Sequence, residues 1–516
     1  MKRIILTLVV FLMFCGVASS QDLHWPYSNA WNNNQNPSST TNIVGRVYLD
    51  GEVLNSNDYE IAAFVDDVCR GSALLRSFPQ MPTIYWAWFA IRYNDNEVGK
   101  TAVFKLYRHS TDTEYTICSN LLVLGNETEG TPDEPYIINF YNPFTKVITP
   151  YTENGGYYLI ASPIGSVDPE DVGQMRSNNY DLYYFDQTKA KEWVNYKTGG
   201  EGEVNNDPGF SLEPGKGYLY ANSEEVTLTF TGAPYNETGE VTLTKTDATV
   251  DFQGWNLVGN PFAQTAYIAK PFYVMNGDRT DLTPATDNSV EAMEGLFVVA
   301  DEDGETLTFS TEPSKGNQQL VINLNSNNRG GAIDRAIIRF NKENSLPKFQ
   351  LNPNNTKVYI PQNGNDYAVV HAESEGELPV NFKASKNGSY SFNFNAEEVD
   401  VNYLHLIDNL TGADVDLKST PSYTFQAKTT DYASRFKLVF AVDRTNDESF
   451  AFFNNDNWFI NNDGKALLQV IDLNGRLLSN EQISGSVSKH INAAPGVYVM
   501  RLINGDNVKT QKVVVR

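Results

Sequence analysis

The sequence contains little cysteine and histidine, the side chains that most often mark metal sites, disulfide frameworks and nucleophilic active sites. Its 516 residues include three cysteines and five histidines. The histidines are His24, His109, His371, His405 and His490. None of them lies in an HExxH motif or a comparable metal-ligand spacing. The sequence therefore predicts neither a zinc site nor a cofactor.

Motifs of the common catalytic folds are also missing. There is no GxSxG elbow, no Walker loop, no dinucleotide-binding GxGxxG after a strand and no cysteine-protease signature. Glycosidases need only two carboxylates, but with 63 acidic residues any pair chosen from the sequence is uninformative. We therefore expect a protein that is not an enzyme. A polysaccharide hydrolase with an unrecognised carboxylate pair is the alternative.

Basic residues are fewer than acidic ones, which gives a formal net charge of -24. This charge repels phosphate backbones and anionic headgroups, so nucleic acid and membrane surfaces are not expected partners. Hydrophobic residues make up 41% of the chain, enough for packed cores and too many for a disordered protein. A chain of this length exceeds one core, so three to four domains are expected.

Long hydrophobic runs are missing after the N-terminus, and no run approaches the ~20 apolar residues of a transmembrane helix. The first residues combine a basic start with an apolar run over Ile4–Phe14 and small residues before Gln21. This pattern predicts a secretory signal peptide at 1–20. Cys15 lacks the preceding small residue of a bacterial lipoprotein, so ordinary cleavage is expected.

Two cysteines, Cys69 and Cys118, remain after the predicted signal peptide. An exported pair within one module is compatible with a disulfide bond. Two buried free cysteines are the open alternative, because sequence spacing does not show whether the Cα atoms come close enough.

Strand patterns fill the rest of the chain. Short alternating runs such as "TAVFKLYRH" and "SYSFNFNA" are separated by clusters of Gly, Asn, Asp and Pro, and no long run has helical periodicity. We predict an all-β fold of tandem β-sandwich modules, Ig-like or jelly-roll-like. The predicted modules are 21–140, 141–315, 316–441 and 446–516.

The second module contains an internal repeat. "YYLIASP" (157–163) corresponds to "WNLVGNP" (255–261), and "KGYLYANSEEVTLTF" corresponds to "EGLFVVADEDGETLTF" in the same order. We predict two copies, at about 155–232 and 253–311, that differ in their loop insertions. The first copy carries an extra loop with Trp193 and Tyr196, a candidate contact surface. Packing of Trp193 beneath the loop is the competing interpretation.

Two other segments hold candidate ligand-binding side chains. In "TIYWAWFAIRY" (83–93), strand periodicity places Trp86 and Trp88 on one face, as a platform on which a sugar ring could stack. Because the segment is apolar on both faces, a central strand with buried tryptophans is the competing interpretation. In "DEDGE" (301–305), Asp301 and Asp303 are a weak calcium candidate, and an acidic hairpin turn is the competing interpretation.

The tail combines "LLQVIDLNGRLL" with "APGVYVMRLINGDNVKTQKVVV". It resembles the C-terminal sorting domain of proteins that Bacteroidetes-type bacteria export through the type IX secretion system. The matching positions are Gly475, Arg476, Gly496, Tyr498 and Lys512. The resemblance implies a small Ig-like domain that the outer-membrane translocon recognises. Together with the signal peptide it implies export through the periplasm to the cell surface or the extracellular space. The chain departs from the family at "FFNNDNWFINNDG", where a proline-asparagine-proline strand opening is usual.

The upstream segments "DYEIAAFVDDVCRGSA" and "GKGYLYAN" are similar to modules that recur in large secreted proteins of Bacteroidales. This similarity implies binding or spacer modules and supplies no catalytic residues. We therefore expect a non-catalytic protein that adheres to, or captures, a glycan or a host protein. A hydrolase and a purely structural spacer are the alternatives.

Overall fold

In a computed structural model of the protein, the regular secondary structure of the described residues is almost entirely β-strand. The structure describes residues 23–25, 37–152, 155–189, 191–197, 206–246, 252–314, 316–326, 331–340, 344–442, 450–454, 457–462, 464–490, 493–505 and 507–515. The regular elements in these ranges are strands and one 3-10 turn at Asp95–Glu97, which confirms the predicted all-β class. No helix in the described part has the length and apolar character that a membrane crossing requires. The predicted signal peptide lies outside the described residues.

The chain divides into two compact units, Met1–Thr145 with Thr229–Pro234, and Lys146–Leu228 with Tyr235–Arg516. The first unit contains a sandwich of two sheets. Its strands are β1 (Ser39–Leu49), β2 (Glu52–Val53), β3 (Tyr59–Val65), β4 (Val68–Leu74), β5 (Arg76–Phe78), β6 (Met81–Tyr93), β7 (Thr101–Arg108), β8 (Thr113–Tyr115), β9 (Ile117–Cys118), β10 (Leu121–Val123), β11 (Thr128–Glu129) and β12 (Tyr136–Tyr141).

One sheet of this sandwich has the order β5-β6-β1-β12-β9, with β2 and β11 also paired to β1. The other has the order β10-β7-β3-β4, with β8 paired to β7. Alternate side chains fill the core between the sheets, as period-two strands require. In β7, for example, Ala102, Phe104 and Leu106 are buried in this core, whereas Thr101 and Val103 are exposed.

The two segments that were predicted as repeat copies have corresponding strand orders. The first copy comprises β13 (Phe144–Ile148), β14 (Tyr158–Ala161), β15 (Tyr180–Phe185), β16 (Trp193–Asn195), β17 (Gly217–Asn222) and β18 (Val226–Phe230). The second comprises β19 (Glu240–Thr242), β20 (Trp255–Gly259), β21 (Ala266–Tyr267), β22 (Tyr273–Met275), β23 (Leu282–Pro284), β24 (Ser289–Val290), β25 (Gly295–Val299) and β26 (Thr306–Thr308). The main sheets have the orders β14-β17-β15-β16 and β20-β25-β22-β23, and the pairs β13-β18 and β19-β26 also correspond. The pair β21-β24 also has a counterpart, because backbone hydrogen bonds join Val167 to Leu212 at the equivalent place in the first copy.

The two copies contact each other through equivalent positions. In the aligned motifs Ile160 corresponds to Val258, and Lys216 corresponds to Glu294. Backbone bridges join Ile160 to Glu294 and Lys216 to Val258. The same contact is therefore made in both directions, which gives the repeat an approximate twofold symmetry.

Glycine allows this close approach of backbones. A Cβ atom added to Gly217 would lie 2.3 Å from the carbonyl oxygen of Val258. A Cβ atom added to the equivalent Gly295 would lie 3.0 Å from the carbonyl oxygen of Ile160. A side chain at Gly217 would therefore push the two copies apart.

The next module is an eleven-stranded sandwich. Its strands are β27 (Gln319–Ser326), β28 (Ala332–Arg339), β29 (Leu346–Pro347), β30 (Lys357–Gln362), β31 (Asn365–His371), β32 (Glu375–Lys383), β33 (Gly388–Glu397), β34 (Val401–Asp408), β35 (Ala413–Asp416), β36 (Ser422–Ala427) and β37 (Phe436–Val442). They form one path, β35-β34-β37-β32-β30-β31-β28-β27-β33-β36, with β29 paired to β31. Strands from both ends of the path supply one hydrophobic cluster, so the sheet folds around this core.

The repeat packs on the outside of this sandwich. In β28, Ala336 and Ile338 face the sandwich core, whereas Ile337 between them belongs to a second cluster shared with the repeat. Trp255 and Phe297 of the repeat are in the same cluster. This part of the strand is therefore buried on both faces, which matches the apolar run Ala336–Ile338.

The last module comprises two small sheets. Its strands are β38 (Ala451–Asn454), β39 (Asn457–Ile460), β40 (Lys465–Asp472), β41 (Leu477–Ser484), β42 (Val487–His490), β43 (Gly496–Asn504) and β44 (Asn507–Val515). The sheets have the orders β38-β39-β42 and β41-β40-β43-β44 and enclose their own core. Phe452 and Phe459 also pack against Tyr403 and Val439 of the preceding sandwich.

Candidate functional site

A small polar pocket lies where the second repeat copy meets the eleven-stranded sandwich. Its volume is about 270 Å³. Three regions of the chain line it: Tyr267 with residues 286–289, then Ser314, Gly316 and Asn317, and finally Glu397 with Glu398 at the end of β33. The first region comprises the strand pair β21-β24 and the turn before β24, so the second copy of the repeat supplies this wall of the pocket.

Local hydrogen bonds fix the turn that leads into β24. In the β21-β24 register Tyr267 lies opposite Ser289. Asp287 Oδ1 accepts hydrogen bonds from the backbone N–H and the hydroxyl of Ser289, at 3.2 and 3.1 Å. An Asp side chain that binds its own backbone two residues on is typical of a turn. The "TDNSV" turn therefore brings an aromatic ring and a carboxylate to the same wall of the pocket.

Asn317 supplies an unsatisfied hydrogen-bond acceptor. Its Nδ2 donates to the carbonyl of Thr286 at 3.2 Å and to Asn288 Oδ1 at 3.1 Å. Asn317 is 5% exposed, and its Oδ1 has no hydrogen-bond partner among the described residues. Leaving a buried acceptor unpaired costs roughly 1–3 kcal/mol.

A buried network holds Glu397 in place. Gln319 is fully buried, and its Nε2 donates to Glu397 Oε2 at 2.7 Å and to the carbonyl of Thr286 at 2.6 Å. Behind it, Arg339 Nε donates to Gln319 Oε1 at 3.2 Å. Burial lowers the pKa of Arg339 to about 10, although the charge of Glu397 opposes this shift. The orientation of the Glu397 carboxylate is thus set by side chains beneath the surface.

The pocket is suited to binding hydroxyl groups. Asp287, Glu397 and Glu398 offer carboxylate acceptors, Asn317 offers an amide acceptor, and Tyr267 offers an aromatic face. Aromatic faces pack against apolar C–H surfaces, while a few converging polar groups fix the orientation of a ligand. Among the described residues, no group of three or more His, Cys, Asp or Glu side chains is placed to hold a metal ion.

The structure corrects the predicted tryptophan platform in the first unit. Trp86 and Trp88 lie outside the sandwich core, which takes Ala87 and Phe89 from the opposite face of β6. However, Trp86 is 4% exposed, with the Arg46 guanidinium 5.6 Å from its ring centroid. Trp88 is half-buried, and its ring packs edge-on against that of Phe78 on the neighbouring strand β5, with centroids 5.2 Å apart. Trp86 therefore has no open ring face, so the competing interpretation of burial is correct for it.

The predicted contact surface on the first-copy insertion also needs correction. Trp193 packs edge-on against Phe185 and Phe297, with ring centroids 5.3 and 6.0 Å apart. Tyr196 is 6% exposed and packs edge-on against Phe210 at 5.1 Å. Both side chains therefore belong to packing clusters of the repeat, as the competing interpretation for Trp193 expected.

The acidic pair at 301–303 is engaged with lysines. Asp301 Oδ2 lies 2.6 Å from Lys270 Nζ, and Asp303 Oδ1 accepts the backbone N–H of Lys245 at 2.9 Å. The connected strands β25 and β26 belong to different sheets, so the turn is not a hairpin. Both competing predictions for this segment are therefore corrected. Asp301 contacts the Lys270 ammonium group and Asp303 accepts a backbone N–H, and the strands β25 and β26 do not pair.

The predicted disulfide is absent. Cys69 on β4 and Cys118 on β9 belong to different sheets, and both are free. Their thiols lie near the carbonyls of Gly71 and Asn120, respectively. Burial raises the pKa of each thiol, and that of Cys118 rises to about 11. Both cysteines are therefore poor nucleophiles.

The sorting-domain positions divide into folding positions and surface positions. Gly475 has a φ of 79° in the turn between β40 and β41, where Asp472 Oδ1 accepts the backbone N–H of Arg476. Tyr498 is buried, and its hydroxyl donates to the carbonyl of Ala494 at 2.6 Å. Four positions are exposed, namely Gly475, Arg476, Gly496 and Lys512. These exposed positions are the ones available for contact with a partner.

The pocket was not predicted from the sequence. Its lining comes from three regions separated by tens of residues, and no local motif connects them. The cluster of Asp, Asn and Ser in "TDNSV" is a signal that could have pointed to it, because such a cluster is typical of a turn with polar side chains.

Residues 454–516 match the family of secretion system C-terminal sorting domains. This match supports export through the type IX secretion system to the cell surface or the extracellular space. No curated protein matches the chain. One similar solved structure is a biofilm associated protein, BSP domain, at 10% identity over 97% of this chain and 99% of that chain. Its TM-score is 0.15, which is too low to support an argument about fold or function.

Proposed function

With a sorting domain at 454–516 as the starting point, we propose that this is an exported, non-catalytic protein that binds glycans through the polar pocket. Export starts with the signal peptide at 1–20 and passes through the periplasm of a Bacteroidetes-type bacterium. The translocon then recognises the last module. On the cell surface or after release, the pocket captures a glycan of the host or of the surroundings.

The observation that carries the proposal is the set of groups that line the pocket, which are carboxylates, hydroxyls, amides and one tyrosine ring. A sugar hydroxyl donates to carboxylate and amide oxygens, and the sugar's C–H face packs on Tyr267. The match between these groups and a sugar supports a glycan over an apolar ligand.

Charge narrows the class of glycan. Asp287, Glu397 and Glu398 line the pocket, so it repels uronic acids, sialic acids and sulfated sugars. The net charge of -24 acts in the same direction at longer range. The expected ligand is a neutral glycan.

A hydrolase is the second candidate, and one observation favours it. Glu397 and Glu398 both line the pocket, and glycosidases act through a pair of carboxylates. Glu397 is already oriented by Gln319. The experiment on this pocket therefore measures sugar release as well as binding.

The test is an array of neutral and anionic glycans probed with the mature chain, followed by calorimetric titration of the best ligand. Glu398→Gln removes a charged acceptor worth roughly 1.5–3 kcal/mol, so affinity should fall about tenfold or more. Tyr267→Ala should weaken binding as well. Glu312→Gln is the matched control, because Glu312 is exposed and lies outside the pocket.

Each outcome decides between the candidates. Binding that Glu398→Gln weakens and Glu312→Gln leaves unchanged supports the pocket. A chain that binds no glycan and releases no sugar is a spacer, and the proposal then fails. Sugar release that disappears in Glu397→Gln would replace the binding proposal with the hydrolase.

A further inference from the structure

A lysine and an aspartate form a buried pair in the middle of the sandwich, away from the polar pocket. Lys348 Nζ lies 2.6 Å from Asp334 Oδ1 and 2.7 Å from Oδ2. The side chains of Asp334 and Lys348 are 2% and 5% exposed. The two opposite charges are thus in contact and almost inaccessible to solvent. Their module belongs to an exported chain whose two described cysteines are free.

The strands fix both residues. Asp334 lies on β28, and Lys348 directly follows β29. Both strands pair with β31, which lies between them. The hydroxyl of Tyr273 bonds the carbonyl of Pro347 and the N–H of Phe349, each at 3.0 Å. The backbone on both sides of Lys348 is therefore anchored, and the amine cannot easily leave the carboxylate.

The surroundings combine apolar side chains with one further charge. Leu346 and Phe349, close to Lys348 in the sequence, are buried in the cluster that the sandwich shares with the repeat. The charge of Lys357 acts on both members of the pair. Buried charges lose their hydration, and neutral replacements of a buried ion pair are often equally stable or more stable. A reaction that removes both charges is therefore favoured by this environment.

The nitrogen is at the distance of an attack on Cγ, but it lies near the plane of the carboxylate and not over its face. A nitrogen in contact with both carboxylate oxygens lies about 3 Å from the carbon between them, within the range of near-attack geometries. Rotation about the Cβ–Cγ bond of Asp334, a soft torsion, would turn the face of the carboxyl group toward Nζ. The backbone N–H of Val358 donates to Oδ2 at 2.8 Å and can stabilise negative charge that develops there.

We propose that Lys348 and Asp334 condense to an intramolecular isopeptide cross-link between the β28 and β29 segments. One proton first passes from the ammonium to Oδ1 of the carboxylate. Nζ then forms a bond to Cγ, and the negative charge collects on Oδ2 beside the Val358 N–H. A second proton passes from Nζ to Oδ1, the Cγ–Oδ1 bond breaks, and one water leaves. The product is a neutral amide, and no oxidant or other reactant is consumed.

A buried pair of arginine and aspartate shows why the proposed condensation requires a lysine. Arg435 and Asp408 are as deeply buried, at 2% and 1% side-chain exposure. A guanidinium stays protonated in proteins and is not a nucleophile, so this pair remains ionic. The amine of Lys348 is the feature that makes condensation possible.

The test is mass spectrometry on the mature wild-type chain. The intact protein should be lighter by one water than its sequence, whereas Lys348→Arg should have the mass that its sequence predicts. Proteolysis should yield one branched peptide that joins residues 334 and 348. The half-exposed pair Lys437 and Glu377 is the internal control, and its peptides should stay linear.

The wild-type protein alone decides the question, so a variant that fails to fold does not obscure it. Separate linear peptides containing Asp334 and Lys348 would overturn the proposal and leave an ordinary buried ion pair. A loss of water without a branched peptide, as from cyclisation of an aspartate, would overturn it too.

Discussion

At the scale of single residues, the buried charges of the sandwich are held by specific partners. Arg435 Nε and Nη2 donate to the two oxygens of Asp408, at 2.9 and 2.8 Å. The hydroxyl of Tyr423 donates to the same carboxylate at 2.9 Å. Burial raises the pKa of Asp408, but the hydrogen bonds, that from Arg435 above all, outweigh it and lower the pKa to about 2.

This shift predicts a loss of stability in acid. Because the pKa of Asp408 in the folded state is below its ordinary 3.8, the pair stabilises the fold fully above about pH 4. The stabilisation is lost as the pH falls through about 2. Urea unfolding of the wild type and Asp408→Asn between pH 2 and pH 7 measures the effect. The difference in unfolding free energy between them should shrink below about pH 4, and a constant difference would contradict the assignment.

At the scale of elements, the contact between the repeat copies makes the sharpest prediction. Gly217→Ala places a methyl group against the carbonyl of Val258 and should destabilise the protein by about 1–3 kcal/mol, the usual effect of overpacking. Gly277→Ala is the control, because a Cβ atom there meets nothing within 4 Å. Thermal unfolding of both variants gives the comparison. Equal melting temperatures would mean that the copies can separate at no cost.

The sequence predicted secondary-structure elements better than it predicted contacts between residues that are distant in the chain. The repeat was identified because "YYLIASP" and "WNLVGNP" begin equivalent strands, and local strand patterns need no knowledge of distant contacts. Periodicity also placed Trp86 and Trp88 on one face of β6 correctly. It did not show that Trp86 is covered, because Arg46, which lies over that ring, comes from another strand. The pocket was missed for the same reason, since Tyr267, Asn317 and Glu397 meet only after folding.

At the scale of the whole molecule, charge is distributed unevenly. The sorting domain at 454–516 contains seven Lys or Arg residues and five Asp or Glu residues, within a chain of net charge -24. The excess acid therefore belongs to the exported modules. Mutual repulsion between such surfaces favours solubility after export.

Export should depend on exposed side chains of the last module. Lys512→Glu changes an exposed position on β44, so the unfolding free energy should change by less than about 0.5 kcal/mol. Secretion into the medium or onto the cell surface should nevertheless fall, because we propose that the translocon recognises the last module through its exposed side chains. Lys509→Glu is the control, on the same strand and also exposed. Immunoblots of the cell and surface fractions measure the result, and equal secretion of both variants would remove Lys512 from the recognition surface.

The twofold contact inside the repeat also limits how this architecture can grow. Ile160 with Glu294 and Val258 with Lys216 use the same patch on both copies. Such an isologous contact closes on itself, whereas a head-to-tail contact leaves a free end for the next unit. A third copy would find that patch already occupied. A third copy joined to this pair would therefore have to attach through a different surface.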